Sequence, residues 1–177
     1  DVSILFGGRL AHTTWWTDEP RQIHGINLLP LTTSSTYLAT DPEYIIKKLN
    51  ALEREMEIYS ERGKFAKPKD IWQDLFAKYK ALADPKAGIE SWDEYGSFEF
   101  GDTRSHTLHW LSFLNEVGTP ELSISADTNL YAVFKNKEGM KTYLVFNQSD
   151  NEISVKFSDG FQLKAKGNRL TRSNGGK

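Results

Sequence analysis

The hydrophobic period of this chain changes once, close to Gly118, and that change limits the folds open to it. Ile45, Leu49, Leu52, Met56 and Tyr59 step by four and three, which puts them on one stripe of a helix. Beyond Gly118, Tyr131 and Val133 alternate with Ala132 and Phe134, the two-residue period of a strand. Helices followed by a run of strands predict an α+β fold rather than a regular alternation of the two.

Local signals set the expected boundaries. A helix is predicted over 42–62. Asp41 is its N-cap, Pro42 stands at its first position, Glu43 lies in its first turn and Gly63 stops it. Its opposite face carries Lys47, Lys48, Arg54, Glu57 and Glu61 and is expected to be solvated. After Pro68, the spacing of Ile71, Trp72, Leu75, Phe76, Tyr79 and Leu82 predicts another helix, ended by Asp84-Pro85. A short helix through Ile89 and Trp92, a loop from Gly96 to Gly101, and a helix capped by Asp102 or Thr103 and running to Val117 complete this part. Residues 1–40 are polar, aromatic and aperiodic. Asp1–Phe6 and Ile26–Leu31 are expected as short helices or buried irregular runs along a surface or cleft.

Strands are expected at 130–135, 142–147, 152–157 and 161–166, as an antiparallel meander with both faces partly covered. Asp159-Gly160 predicts a two-residue type I′ hairpin. The composition of 168–177 predicts a frayed tail. The expected division is 1–120, 121–167 and 168–177.

Composition excludes several function classes. The chain has 177 residues, enough for a core without staples, with 38% hydrophobic and 26% charged residues. A net charge of -2 argues against a nucleic-acid partner. No apolar run nears the roughly 20 residues of a membrane span, so no membrane is expected. The absence of cysteine excludes disulfides, thiolate zinc sites and a cysteine nucleophile. His106 and His109 would hold a metal only with a carboxylate joining them, so no metal or other cofactor is expected. The opening residues show no signal-peptide pattern. A start at Asp1 is expected of a processed, trimmed or partial chain. Five Trp and seven Tyr fit either an aromatic core or a sugar-binding cleft, since pyranose faces stack on indole and phenol rings.

The segment from Trp15-Trp16 through Thr17-Asp18-Glu19-Pro20-Arg21-Gln22 to Ile23-His24-Gly25-Ile26-Asn27-Leu28-Leu29-Pro30-Leu31-Thr32 resembles a stretch of glycoside hydrolase family 81 endo-β-1,3-glucanases. Further likeness lies in Trp72…Tyr79-Lys80-Ala81-Leu82-Ala83-Asp84-Pro85, in Arg104-Ser105-His106-Thr107-Leu108-His109-Trp110-Leu111, and in the β-rich end from Tyr131 to Gly160. The resemblance implies that 1–120 supply the C-terminal part of an (α/α)6 barrel with a wall of its cleft. It also implies that a small antiparallel β-meander packs on them. Members cleave internal β-1,3 bonds of laminarin-type glucans with inversion, using an aspartic acid and a glutamate base upstream of the Ile-His-Gly-Ile run. No Glu-Ser-Ser-Ser-Glu-like run occurs here, so no catalytic residue is assigned and the isolated chain is expected to be inactive. The implied partners are β-1,3-glucan and the N-terminal remainder of the same enzyme. A polymeric substrate implies secretion.

Inverting hydrolysis needs an acid and a base roughly 6.5–9.5 Å apart. The one dense acidic set is Glu90, Asp93, Glu94, Glu99 and Asp102, which reads more simply as a solvated loop with a helix cap. The substrate-contact candidates are Trp15, Trp16, Glu19, His24, Asp102 and His106. Each has a structural alternative: core packing for one tryptophan, a local ion pair with Arg21 for Glu19, a hydrogen-bonded buried ring for His24. Asp102 has capping. His106 shares a stripe with Trp110, Phe113 and Val117, yet lies in a first turn that can face a cleft; His109 falls at the edge of that stripe and is expected at the surface. The rival function is an autonomous carbohydrate-binding module, against which the apolar helix faces stand.

Overall fold

The computed structural model describes residues 17–61, 63, 71–96 and 102–175. The chain divides into two compact units, Asp1–Asn115 and Glu116–Lys177. Among the described residues, no helix is long and apolar enough to cross a membrane.

The first unit is helical. Helix α1 spans Pro20–Ile26, and a 3-10 segment, Thr33–Thr40, follows. Glu19 caps α1 by accepting from the Arg21 N–H, with Pro20 at the first position. The helix therefore ends where the sequence suggested one begins: only Leu31 of 27–31 is buried. Helix α2, Pro42–Glu61, starts on Asp41, whose Oδ1 accepts from the Tyr44 N–H at 2.9 Å. It buries Ile45, Leu49 and Leu52, while Met56 and Tyr59 are half-buried. Gly63 closes it with φ +68° and an N–H donated to the Ser60 carbonyl at 2.9 Å.

Helix α3 spans Gln73–Ala81, starting two residues later than the apolar pattern suggested. Trp72 takes a left-handed conformation, φ 56°, and its indole packs against Gly25 of α1. A Cβ at Gly25 would fall 1.7 Å from that ring, so the contact exists only because position 25 lacks a side chain. Asp84 Oδ1 then caps α4, Pro85–Glu90, at the Ala87 N–H, 3.1 Å. Helix α5 spans Arg104–Val117. Leu75, Ala81, Leu82 and Leu111, all at most 1% exposed, form the centre of this unit's buried set.

The second unit is β. Strands β1 (Thr119–Pro120), β2 (Tyr131–Lys135), β3 (Lys141–Asn147) and β6 (Arg169–Asn174) form one antiparallel sheet in the order β1-β2-β3-β6; β4 (Ile153–Lys156) and β5 (Gln162–Ala165) form a separate hairpin. The four expected strands are present, but they do not make one meander. Asn147, 2% exposed, accepts from the Ser149 N–H at 2.9 Å and donates to the carbonyls of Asn151 at 2.8 Å and Ala165 at 2.9 Å. These bonds turn the chain out of the sheet after β3 and tie the hairpin to that turn. The free edge of β3 is taken instead by residues 169–174, so the expected tail is a strand paired from Thr142↔Asn174 to Asn147↔Arg169.

Alternation decides which side chains meet. Val133, Tyr143 and Val145 of the sheet share a core with Val155, Phe157, Leu163 and Ala165 of the hairpin. Tyr143 stacks on Phe161 at 4.0 Å and its hydroxyl donates to Asp159 Oδ2 at 2.5 Å. The turn at Asp159-Gly160 differs from the expected type I′. Only Gly160 has positive φ, +92°. The Gly160 N–H donates to the Phe157 carbonyl at 3.0 Å and the Phe157 N–H to the Phe161 carbonyl at 2.9 Å. This is a three-residue loop with a glycine bulge. It leaves Asp159 in an ordinary backbone region while its carboxylate binds Tyr143 and, at 2.8 Å, Lys141.

A methyl group at position 25 must displace the Trp72 indole, so Gly25→Ala is expected to destabilise the helical unit by about 1–3 kcal/mol. Urea denaturation followed by tryptophan fluorescence checks this, and an unchanged midpoint would remove the contact from the account.

Candidate functional site

The candidate residues that the structure describes fall into two groups, joined by no hydrogen bond or ion pair among the described residues. Trp15 and Trp16 lie outside those residues, as does Glu99.

The first group surrounds α1. Glu19 is fully buried, and both its oxygens accept from the Arg21 guanidinium at 2.9–3.2 Å. With the helix cap added, this carboxylate is wholly engaged inside the chain. His24, 5% exposed, meets Glu55 of α2 through Nε2 at 2.9 Å, which fastens α1 to α2. Both residues take the structural roles weighed for them. Arg21 also lines a groove of about 470 Å³ between α2 and α3, together with Leu49, Leu52, Met56 and Phe76. Glu53, Glu57 and Lys80 line it as well, so apolar and charged side chains are mixed in it.

The second group stands at the start of α5. Thr103 is the cap, since its Oγ1 accepts from the His106 N–H at 3.0 Å. Asp102 is therefore released from capping, contrary to its simplest expected role. One of its oxygens accepts from the Lys78 ammonium; the other meets His106 Nδ1 at 2.7 Å and accepts from the Thr103 N–H at 2.8 Å. Lys78 is only 1% exposed and Asp102 11%, whereas 42% of the His106 side chain is exposed. The stripe shared with Trp110 thus fails to bury His106. The first turn leaves the ring at the surface, edge-on to Trp110 at 6.3 Å. His109 is exposed as well.

Electrostatics follow from this layering. Burial, partly offset by the Asp74 carboxylate one turn earlier, lowers the Lys78 pKa to about 8. Burial, and then the Lys78 charge, hold His106 below the ordinary histidine value. A carboxylate can only accept, so His106 Nδ1 carries the hydrogen and Nε2 of the neutral ring is an acceptor. The result is an exposed imidazole, oriented by a carboxylate and backed by a buried cation. It can bind a hydroxyl or relay a proton.

The described members of the remaining acidic set, Glu90, Asp93 and Glu94, lie at the surface. Glu90 is exposed and lies 3.8 Å from Lys86. Asp93 Oδ1 accepts from the Tyr95 N–H at 2.9 Å, while its main chain is clasped by Gln73 at 3.0 Å on both sides. Glu94 is exposed. Lys78, the inner member of the site, is absent from the sequence-based candidates. Its signal was spacing: it stands three residues after Leu75 and four before Leu82, on the apolar stripe.

Residues 2–111 match the family model described as glycosyl hydrolase family 81 C-terminal domain. The chain is 40% identical over 159 residues to a glucan endo-1,3-beta-D-glucosidase of Acetivibrio thermocellus, covering 90% of this chain and 19% of that one. It is 34% identical over 166 residues to a glucan endo-1,3-beta-D-glucosidase of Thermobifida fusca, covering 92% and 20%. A solved glycoside hydrolase family 81 structure from Clostridium thermocellum aligns with TM-score 0.80 and 36% identity over 93% of this chain and 22% of that one. The chain thus spans about a fifth of the curated relatives it matches.

Asp102→Ala removes the carboxylate bonded to the buried Lys78 ammonium, and a loss of about 3–5 kcal/mol is expected at pH 7. The folded pKa of Lys78 near 8 lies below the 10.5 of the free side chain, so the folded state sheds this proton first. The contribution of Lys78 therefore rises with pH between about 8 and 10.5. Without Asp102 that window extends downward, and part of the loss should be recovered at pH 9. Urea denaturation at the two pH values tests this; an equal loss at both would rule out a stranded lysine charge.

Proposed function

From the premise that the chain belongs to glycoside hydrolase family 81, we propose that it is the C-terminal portion of a secreted endo-β-1,3-glucanase acting on laminarin-type glucans with inversion. On this reading α1 to α5 are among the last helices of an (α/α)6 barrel, and the β unit is an accessory to it. The general acid and base come from upstream of residue 1, and water is the second reactant. No cofactor takes part.

The observation that carries a functional role for this chain is the exposed His106 imidazole on its buried Asp102–Lys78 support. Burying an ion pair costs several kcal/mol of lost hydration per ion, and apolar residues fill such space at less cost. A chain that needed only a packed helix start would gain nothing by keeping both charges. The arrangement makes sense if an oriented imidazole is required, and a polyhydroxylated chain in the barrel cleft is what it would meet. His106 Nε2 accepts from a glucan hydroxyl, which aligns one sugar without taking part in bond cleavage. At least one of Trp15 and Trp16 is proposed to contact the glucan, since pyranose C–H faces stack on indole. Membership of a hydrolase family supports this over the rival of a free-standing carbohydrate-binding module.

Purified as the 177-residue chain, the protein should release no reducing ends from laminarin, while the enzyme that carries it should. In that enzyme His106→Ala is expected to raise KM about tenfold, the value of one hydrogen bond to a neutral partner, with kcat little changed. Release by the isolated chain would sink the upstream placement of the carboxylates and point to Glu90, Asp93, Glu94 or Asp102. An unchanged KM would remove His106 from the glucan contacts.

A further inference from the structure

His106 is anchored by a residue that cannot itself reach a substrate. Lys78 is tied to the beginning of α5 at both ends. Its ammonium meets Asp102, and its main-chain carbonyl accepts from Trp110 Nε1 at 3.1 Å. Trp110 is one turn beyond His106, and its ring is the aromatic neighbour of the imidazole. The groups around the ring are thus fixed from three places: Asp102 from the preceding loop, Trp110 from α5 itself, and Lys78 from α3, with Asp74 one turn before it.

Charge gives this geometry a direction. A carboxylate bonded only to a histidine favours the protonated ring, because the imidazolium is its counter-ion. Here the second oxygen of Asp102 already holds a buried ammonium, so the carboxylate's charge is largely spent on Lys78. The imidazole receives an orienting acceptor without receiving a full counter-ion. Lys78 lies in the core, one residue before the buried Tyr79, so solvent cannot screen its charge.

We propose that Lys78 is a positioning residue for His106, acting through Asp102: it fixes the carboxylate that orients the imidazole and neutralises it, so that the uncharged ring is favoured and presents Nε2 as an acceptor. The inference rests on the reading of His106 as a glucan contact for its purpose, whereas the geometry is independent of it. A structural role alone would make Lys78 a matter of stability. A positioning role makes it control the titration of a residue on another helix.

The test is the pH dependence of His106 modification by diethylpyrocarbonate, which attacks only the neutral ring, read by peptide mapping in the enzyme that carries this chain. His109, exposed on the same helix, is the internal reference. In the native protein the His106 midpoint should lie below the ordinary histidine value. Lys78→Met should raise it by about one pH unit, a tenfold fall in reactivity on the acid side, with His109 unchanged. Lys78→Arg should keep the low midpoint. Lys78→Gln, which retains a donor to Asp102 without the charge, replaces the Met variant if that one does not fold, with the same rise expected. An unmoved midpoint in the uncharged folded variant overturns the proposal. A second arm repeats the modification with laminarin present. Protection of His106 supports the glucan contact, and its absence removes that contact while leaving the midpoint result to stand for Lys78.

Discussion

Lys78 sits in the middle of α3 with almost none of its side chain exposed, and an ammonium group in that position must find an anion. The nearest covalent neighbourhood supplies Asp74, and the fold brings Asp102 from 24 residues away. Meeting that demand settles much else in the helical unit. The loop before α5 must pass close enough for Asp102 to reach inward. That leaves Thr103 as the cap and sets His106 on the outside of the first turn. Trp110 must lie over α3, where its indole donates to the Lys78 carbonyl. A single buried lysine thus ties α3 to the start of α5 through its ammonium and its carbonyl.

The β unit meets a different constraint. Two thin β layers have little apolar area, so their few large side chains must interlock. Tyr143 is the centre of this packing. It is stacked on Phe161, edge-on to Phe157 at 4.7 Å, and bonded through its hydroxyl to Asp159 in the hairpin turn. Burial and the Asp159 carboxylate push that hydroxyl well above the usual tyrosine range, so it remains a donor at all ordinary pH. The Asp159 carboxyl is in turn held below its ordinary value by bonds from Lys141, Tyr143 and the Phe161 N–H, against the opposing effect of burial. The glycine-bulge turn serves this bond, because a type I′ turn would give Asp159 a different backbone and direct its carboxylate elsewhere.

Much of the scaffold was legible in order. Helix α2 begins and ends at residues whose local chemistry allows little else: Asp41 and Pro42 at one end, Gly63 at the other. The alternating runs became strands within a residue or so of their expected limits. Which strand takes the open edge of β3 was not legible, because edge pairing depends on where the chain is turned after Asn147. That asparagine acts through carbonyls as distant in sequence as Ala165. The composition of 168–177 reads as a tail for the same reason: its strand character comes from β3, not from its own side chains.

By itself the sequence determined the α+β class, the caps and stops of the main helices, the strand positions and a family likeness, all of which rest on residues a few positions apart. It also named Asp102 and His106, though with capping and core burial as their simpler roles. Tertiary structure alone decided that Thr103 caps, that His106 faces outward, and that Lys78 stands behind both. The reason is physical. Periodicity records which face of a helix is apolar, but a lysine on that face acquires meaning only from the anion that folding carries to it.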